Sequence, residues 1–188
     1  MERKTHYFWA VRIPDHVKEN IHDELSQMKP IFQFKRWVDL YDYHITLAFL
    51  GSVNPQQLQS VIRLVGDAIN KQKPFTLELK GLNVFGAQKS PRIFWAAVNE
   101  ADELFQLQGI VHKTCLEAGF SLETRPYHPH ITLARKWGGD EDFIMDNLVA
   151  YNPFSEKALS FQVSEVVLYK SNLEKTPKYE PVVVFSLA

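Results

Sequence analysis

Two histidines lie 86 positions apart (130 − 44), and each begins the same five-residue stretch, HITLA. The first copy lies within DYHITLAFLG and the second within PYHPHITLAR. Histidine titrates near pH 6.5, so at one pH one imidazole can hold a proton while another lacks it. Two imidazoles on opposite sides of a reacting group can therefore act as general base and general acid. The repeat indicates acid–base chemistry shared between two parts of the chain.

The residues that follow each histidine suit this chemistry to phosphorus. Side chains alternate between the two faces of a strand, so His44 shares a face with Thr46, and His130 with Thr132. The isoleucine and leucine of each copy then face a core. Threonine hydroxyls can donate to phosphate oxygens, and Arg135 could steady the negative charge of a displacement at phosphorus. The set predicts in-line displacement without a metal if the two faces meet across a cleft.

The elements that must position these residues follow from hydrophobic periodicity. Apolar residues spaced three or four apart predict helices from Asp15 to about Met28, after the Asn54-Pro55 cap, and up to Gly119. A shorter helix is expected after the Gly138-Gly139 pair. The strands are predicted in the segments HYFWAVRI, YHITLAFLG, FTLELKGLNVF, RIFWAAV, HPHITLAR, LSFQVSEVVLY and PVVVFSL.

Each half of the chain reads as helix, HITL strand, helix, long strand and final strand. The offsets between matching residues are similar, at 84 from Phe85 to Tyr169 (169 − 85) and 89 from Ile93 to Val182 (182 − 93). The pattern predicts an α+β fold with two pseudo-symmetric lobes, each with an antiparallel sheet and flanking helices, around a central cleft. No long linker separates the halves, so residues 1–188 are expected to form a single bilobal domain.

Composition narrows the class of protein. The chain carries 21 Lys plus Arg against 22 Asp plus Glu, a net charge of −1, which does not suit a protein that coats long nucleic acid. The single cysteine, Cys115, cannot form an internal disulfide, which favours a reducing compartment. The charged start MERKTHYF lacks a signal-peptide pattern, and no apolar run is long enough to span a membrane. A cytoplasmic protein without a membrane partner is expected, and we expect it to be a monomer.

The chain also resembles the 2H phosphoesterase superfamily, which is defined by two H-x-T/S-x motifs. Within it, the chain is similar to the bacterial and archaeal RNA 2′,3′-cyclic phosphodiesterases, formerly called 2′-5′ RNA ligases. The resemblance extends over nearly the whole chain: the aromatic first strand, KRWVDLYDYHITLAFLG, the LNVF strand, and RPYHPHITLAR with its trailing arginine. The segment DLYDY lacks the proline associated with that connection.

The resemblance implies hydrolysis of an RNA terminal 2′,3′-cyclic phosphate to a 2′-phosphate, with no cofactor and no metal. It implies that His44 is the proton donor to the leaving 3′ oxygen and that His130 is the proton acceptor that activates water. Thr46 and Thr132 would bind the phosphate, assisted by Arg135. The substrates would be RNA 3′ ends or cyclic nucleotides, and the reverse joining to a 2′-5′ linkage is implied as a lesser activity.

Arginines and aromatic residues close to the two motifs are further substrate-binding candidates, because aromatic rings stack on bases and arginines hold phosphate. They are Arg36, Trp37, Tyr43, Arg125 and Tyr127. The remaining histidines, His6, His16, His22 and His112, are expected on the surface or in the core, and Cys115 is expected to be a buried thiol.

Three other interpretations are open. His128 and His130 form an H-x-H pair that could bind a metal together with His44, although no Asp, Glu or Cys lies nearby in the motif. The chain could be a nucleotide or RNA-end binding module without turnover, against which the intact His and Thr residues argue. It could also act on another cyclic phosphate or on a 2′-5′ oligonucleotide, since the chemistry at phosphorus would be shared.

Overall fold

The computed structural model describes residues 4–188, and these form four α-helices and nine strands. The helices are α1 (Asp15–Met28), α2 (Pro55–Ile69), α3 (Asp102–Glu117) and α4 (Asp146–Ala150). The strands are β1 (Tyr7–Arg12), β2 (Phe34–Trp37), β3 (His44–Gly51), β4 (Phe75–Ala87), β5 (Ser90–Val98), β6 (His130–Trp137), β7 (Ser160–Val163), β8 (Glu165–Ser171) and β9 (Tyr179–Ser186). Residues 1–3, part of the charged start considered above, lie outside the described range.

The helix starts predicted from the sequence are confirmed. α1 begins at Asp15, directly after Pro14. α2 begins at Pro55, and the side chain of its N-cap Asn54 accepts a hydrogen bond of 2.8 Å from the backbone N–H of Gln57. This cap satisfies one of the backbone donors that the first helical turn leaves free. The sequence prediction missed β2 and the short 3-10 helix Leu40–Asp42.

The strands form one antiparallel path in the order β7-β4-β5-β6-β3-β1-β8-β9, and β2 pairs with β6 beside it. We call β3, β1, β8 and β9 the first lobe, and β6, β5, β4, β7 and β2 the second lobe. The α+β fold with antiparallel strands and flanking helices is confirmed, although the strands of the two lobes form one continuous sheet. The histidine-bearing strands β3 and β6 lie next to each other where the two lobes meet.

The two halves of the sequence exchange strands, which corrects the partition expected above. β4 and β5, from the first half, pair with each other and β5 pairs with β6; β8, from the second half, pairs with β1. The counterpart of β5 is therefore β1, because each lies beside an HITLA strand, and the match of Ile93 to Val182 is wrong. The segment LSFQVSEVVLY is also two strands, divided at Ser164: β7 pairs with β4 in the second lobe and β8 with β1 in the first.

The two lobes join through a short ladder between β3 and β6, in which Ile45 and Ile131 form the one backbone pair within residues 4–188. Beyond that pair the two strands take different neighbours. The carbonyl of Leu133 accepts from the backbone N–H of Val38, just after β2, at 2.9 Å. The corresponding carbonyl of Leu47 accepts from the Gln108 side chain on α3 at 3.3 Å. The strands therefore diverge from the isoleucine pair, and we call the surface between them, which carries His44, Thr46, His130 and Thr132, the cleft.

Each HITLA strand contains a β-bulge at the leucine of the motif. On β3, Thr46 pairs with Ala10 and Ala48 with Trp9, so Leu47 is the extra residue. On β6, Thr132 pairs with Trp95 and Ala134 with Phe94, so Leu133 is extra. The two bulges are 86 positions apart (133 − 47), the same as the two histidines. A bulge reverses the alternation beyond it, so residues that follow each motif change faces.

The main core lies on the face of the sheet away from the histidines. The isoleucine and leucine of both motifs are at most 3% exposed and belong to one cluster with the apolar stripes of α1, α2 and α3. On the other face a smaller cluster forms from Phe8, Ala10, Val167 and Tyr169. The expected division of each motif into an apolar core face and a polar face is confirmed. No helix in residues 4–188 is both long enough and apolar enough to span a membrane.

Candidate active site

The two histidines and two threonines of the HITLA repeats lie on one face at the junction of the lobes. Because β3 and β6 run antiparallel and pair at Ile45 and Ile131, His44 lies across from Thr132, and His130 across from Thr46. All four are one residue away from the isoleucine pair, so they share the face opposite to it. Each is partly exposed. The structure thus brings together the four residues that the repeat singled out.

His44 is held by its own turn. Its Nδ1 lies 2.7 Å from the backbone carbonyl oxygen of Asp42, and its Nε2 lies 3.1 Å from the hydroxyl of Thr46. A carbonyl oxygen can only accept, so Nδ1 carries a proton and donates it. In the neutral ring, Nε2 then accepts from Thr46. The nitrogen that gains or loses a proton is therefore Nε2, beside a hydroxyl able to turn toward a substrate oxygen.

His130 is held in the same way. Its Nδ1 lies 2.7 Å from the carbonyl oxygen of His128, again two residues earlier in the chain. The same argument assigns the fixed proton to Nδ1 and leaves Nε2 to exchange protons. Both imidazoles are consequently fixed in one tautomer by main-chain oxygens. This is the arrangement that two-histidine acid–base catalysis requires.

Aromatic side chains surround each histidine. The rings of Phe8, Tyr169 and Tyr179 have centroids 4.8, 6.1 and 5.2 Å from that of His44. Phe85 and Trp95 lie 5.1 and 5.8 Å from His130 and stack on each other at 4.6 Å. Phe85 and Tyr169 are the residues that the repeat offset of 84 relates (169 − 85).

Burial among these aromatic side chains, which we call the aromatic walls, lowers the affinity of both histidines for protons. Burial lowers the pKa of His44 to about 4, and the charges of His130, Arg135 and Lys18 act in the same direction. Burial also lowers the pKa of His130, helped by His128 and Arg135. The hydrogen bond from each Nδ1 opposes this shift. The pKa of each imidazole thus lies below that of a free histidine, and an anion between them would favour protonation of one.

Arg135 faces the cleft because of the bulge at Leu133. Three residues after Thr132, an unbroken strand would direct it to the opposite face; instead it pairs with Ile93 in β5 and with Arg36 in β2. Its positive charge lowers the pKa of both His44 and His130. It also opposes the rise in the pKa of Tyr179 that burial causes. Arg135 is thus a cation close to both imidazoles, with Arg36 as its exposed neighbour.

The remaining sequence candidates lie in different surroundings. Tyr43 is 2% exposed and belongs to the main core. Tyr127 is partly buried and donates from its hydroxyl to the carbonyl of Thr46 at 3.0 Å, which covers the free edge of β3. Trp37 packs against the core, with the Lys29 ammonium 5.5 Å from its ring. Arg125 is exposed and bonds to Glu123 at 2.7 Å.

Several residues that contact the histidines could not be identified from the sequence motifs. Asp42 holds His44 through its carbonyl, and Tyr179 begins β9, 135 positions from His44 (179 − 44). Arg12 pairs with His44 across the β1–β3 ladder and forms an ion pair of 3.4 Å with Glu165. The similar positions of Phe85 and Tyr169 within the repeats, 41 (85 − 44) and 39 (169 − 130) residues after the histidines, were the one signal that could have found a cleft residue.

The metal site that the sequence leaves open would use His128, His130 and His44. Within residues 4–188, no group of three or more His, Cys, Asp or Glu side chains is arranged so that it could hold a metal ion. The His128 ring instead lies against Phe85 and Trp95, with centroids 5.5 and 5.1 Å away.

A comparison with protein families matches this chain to the model described as LigT like phosphoesterase. The model matches twice, over residues 11–95 and over residues 97–179. Each match contains one HITLA motif. A single family model thus matches each half of the chain, in agreement with the duplication inferred from the repeat.

Two relatives named RNA 2′,3′-cyclic phosphodiesterase match over 98% of the chain. The protein from Geobacillus stearothermophilus is 41% identical over 185 residues, which make up 58% of its own length. The protein from Bacillus subtilis (strain 168) is 34% identical over 185 residues and is covered over 98% of its length. The chain therefore spans little more than half of the first relative and almost all of the second.

Solved structures share the fold. The crystal structure of E. coli LigT complexed with 3′-AMP superposes with a TM-score of 0.81 at 25% sequence identity and covers 99% of both chains. The structure of TT0787 from Thermus thermophilus superposes with a TM-score of 0.75 at 24% identity, over 97% of both chains. The second likeness shows the fold alone.

Proposed function

The chain belongs to the LigT-like phosphoesterase family, and from this we propose that it hydrolyses terminal 2′,3′-cyclic phosphates of RNA to 2′-phosphates, without a metal. The names of the relatives support the substrate class. The observation that carries the mechanism is the pair of histidines with Nδ1 fixed by main-chain carbonyls, so that both Nε2 atoms are available at the lobe junction.

The proposed reaction uses one imidazole on each side of the phosphorus. His130 Nε2 takes a proton from water, and the water oxygen forms the new bond to phosphorus. The bond from phosphorus to the 3′ oxygen breaks, and protonated His44 donates its Nε2 proton to that oxygen. The products are a 2′-phosphate and a 3′-hydroxyl, and exchange with solvent returns the two imidazoles to their starting protonation states. The same sequence of steps with an RNA 5′-hydroxyl in place of water would form a 2′-5′ linkage and release the 3′-hydroxyl.

Charge and hydrogen bonding support the transition state in this scheme. The hydroxyls of Thr46 and Thr132 can donate to the two non-bridging oxygens, and Arg135 supplies a positive charge where negative charge builds up. The aromatic walls limit water around the phosphate, which strengthens these interactions. The phosphate itself favours protonation of the imidazole closest to the leaving oxygen.

The function is tested by incubating the purified protein with a short RNA that ends in a 2′,3′-cyclic phosphate, with and without EDTA. We expect a 2′-phosphate product, identified by its regiochemistry, at equal rates in both samples. A 3′-phosphate product would contradict the assignment of the 3′ oxygen as leaving group. Loss of activity in EDTA that zinc or magnesium restores would contradict the metal-free mechanism.

Arg135→Ala is expected to lower kcat/KM on this substrate on the order of 10²-fold, the effect of removing one strong donor to a developing anion. Arg135→Lys keeps the charge but not the planar fork, so it should retain part of the activity. The matched control is Arg63→Ala, because Arg63 is exposed on α2 and already paired with Asp67. Equal losses in the Arg135 and Arg63 variants would show that general positive charge, and not the position of Arg135, matters.

The pH profile follows from the lowered pKa values of both histidines. Since kcat/KM reports groups in the free enzyme, and burial lowers the pKa of both imidazoles from the ordinary value of 6.5, the fraction with one proton on the pair should decline as the pH rises above that value. We therefore expect a bell-shaped kcat/KM profile with its maximum below pH 6.5. The kcat profile should lie at higher pH, because bound phosphate raises the pKa of the protonated imidazole. A kcat/KM that climbs steadily from pH 6 to pH 8 would contradict this.

A further inference from the structure

One aspartate connects two distant parts of the chain beside His44. Through its main chain, Asp42 accepts the hydrogen bond from His44 Nδ1 at 2.7 Å. Through its carboxylate, it accepts from the backbone N–H groups of Lys178 and Tyr179 at 2.9 and 3.0 Å. The two N–H groups lie 136 and 137 positions away in the sequence. Asp42 is 5% exposed, so these are buried, long-range contacts.

The other histidine has no such anchor. His130 Nδ1 bonds to the carbonyl of His128, whose own side chain is exposed and lies against the aromatic pair Phe85 and Trp95. The two imidazoles are therefore held by the same main-chain contact, but within the described part of the chain only the carbonyl-bearing residue at His44 is tied to a distant strand through its side chain. This asymmetry within a duplicated site indicates a role specific to His44.

We propose that Asp42 is a positioning residue, which fixes the orientation of His44 for proton transfer by tying the turn before β3 to the start of β9. The proposal rests on the proposed function for its kinetic consequences. Its structural content, that the carboxylate holds the carbonyl in place for Nδ1, can be measured without any turnover.

The groups that face Asp42 agree with a structural carboxylate. Burial raises its pKa, while the N–H groups of Lys178 and Tyr179 and the charge of Lys178 act in the opposite direction. The other charged or titratable groups nearby are Lys18 from α1, Asp39 from its own turn and Tyr169 from β8. Lys18 is 3% exposed and donates to the carbonyl of Tyr41 at 3.3 Å. The turn is thus held from α1 on one side and from β9 on the other.

The same contact positions Tyr179. Its backbone N–H donates to the Asp42 carboxylate, and its ring stands perpendicular to the His44 ring with the centroids 5.2 Å apart. The positive charge of Arg135 lowers the pKa of the Tyr179 hydroxyl. A displacement of the Asp42 carboxylate would therefore move both the His44 ring, which transfers the proton, and the Tyr179 ring beside it. Misplacement of a catalytic group by about 1 Å can reduce the rate on the order of 10²-fold, mostly in the chemical step.

The first test is Asp42→Asn, which keeps the size of the side chain but leaves one good acceptor oxygen for two N–H donors. We expect kcat on a 2′,3′-cyclic nucleotide to fall between about 10-fold and 10²-fold, with KM little changed. The kcat/KM limb that belongs to His44 should move to lower pH, since the hydrogen bond to the Asp42 carbonyl raises the pKa of His44. Asp42→Glu, which keeps the charge but displaces it, should show a smaller change in the same direction.

The matched control is Glu180→Gln. Glu180 is also in β9, but its carboxylate pairs with Lys170 and Lys175 across the β8–β9 connection. It should leave kcat and the pH profile as in the wild type, although the hairpin loses two ion pairs. An equal shift in this variant would mean that general loosening of β9, and not Asp42, sets His44.

Nitrogen NMR of the His44 ring separates this proposal from the proposed function. In the wild type, Nδ1 should carry the proton of the neutral ring, and in Asp42→Asn the ring should become a mixture of tautomers with a lowered titration midpoint. This result supports the positioning role even if the wild type is inactive on cyclic phosphate, which would refute the function alone. A wild-type tautomer and midpoint in folded Asp42→Asn, or in Asp42→Glu where the former does not fold, overturns the proposal.

Discussion

Replacing His44 or His130 with alanine is expected to lower kcat/KM on a 2′,3′-cyclic phosphate by roughly 10²–10⁴-fold, the contribution typical of a positioned general acid or base. Each imidazole has one nitrogen fixed by a carbonyl and one facing the cleft. Removal of either leaves the substrate in place but stops one of the two proton transfers. The expected loss is therefore in kcat, measured by steady-state kinetics with quantified product.

The double variant sharpens this prediction. Because the two imidazoles act in one step, the loss in His44→Ala/His130→Ala should be much smaller than the product of the two single losses. His16→Ala serves as the control, since His16 is exposed on α1 and should behave as the wild type. Near wild-type turnover in either single cleft variant would show that the two-histidine mechanism is wrong.

Replacing Ile45 or Ile131 with alanine is expected to destabilise the fold by about 2–5 kcal/mol each, through lost burial and the cavity left behind. Both side chains are 0% exposed, and the two residues form the one β3–β6 backbone pair within residues 4–188. With typical domain stabilities of about 5–15 kcal/mol, either change removes a large part of the free energy of unfolding. Urea or thermal unfolding of the purified variants measures it.

Two controls separate this effect from a general sensitivity of the sheet. Ile45→Val, which removes one methylene group, should cost only about 0.5–1.5 kcal/mol. Val182→Ala in β9, at a side chain 38% exposed, should stay within about 0.5 kcal/mol of the wild type. A change of less than about 0.5 kcal/mol in both isoleucine variants would contradict the assignment of these residues to the core that joins the lobes.

Short-range patterns predicted most of the elements and the four central residues. The helices α1 and α2 begin where Pro14 and the Asn54-Pro55 pair indicate, because caps act within a single turn. The alternation in HITL correctly divided each motif between the core and the opposite face, because a strand has a period of two.

The strand exchange could not be read from the sequence. Which strand lies beside β3 or β6 depends on contacts between residues far apart in the chain, and offsets such as Ile93 to Val182 match equally well for non-equivalent strands. The choice of β1 and β5 as counterparts needed the observed register. For the same reason the contacts of Asp42 with Lys178 and Tyr179 had no local signal.

The face of β6 on which Arg135 lies could not be predicted from strand alternation. The motif and its trailing arginine pointed to the cleft, yet strict alternation from Thr132 would have directed Arg135 away from it. The bulge at Leu133 resolves this conflict, because two successive residues, Leu133 and Ala134, both face the core. Tyr43 and Tyr127 both lie close to the motifs in sequence, but this closeness did not predict their surroundings. Tyr43 lies in the core, whereas Tyr127 donates a hydrogen bond to the carbonyl of Thr46.

The exchange of strands also determines how the site depends on concentration. One repeat alone holds one histidine and lacks the strand that the other repeat supplies to its sheet. As separate chains, two repeats would have to associate to form the cleft, and dilution would dissociate them. Joined in one chain, each half meets the other at an effective concentration set by their tether. The cleft is consequently complete in every molecule at any dilution at which the chain stays folded.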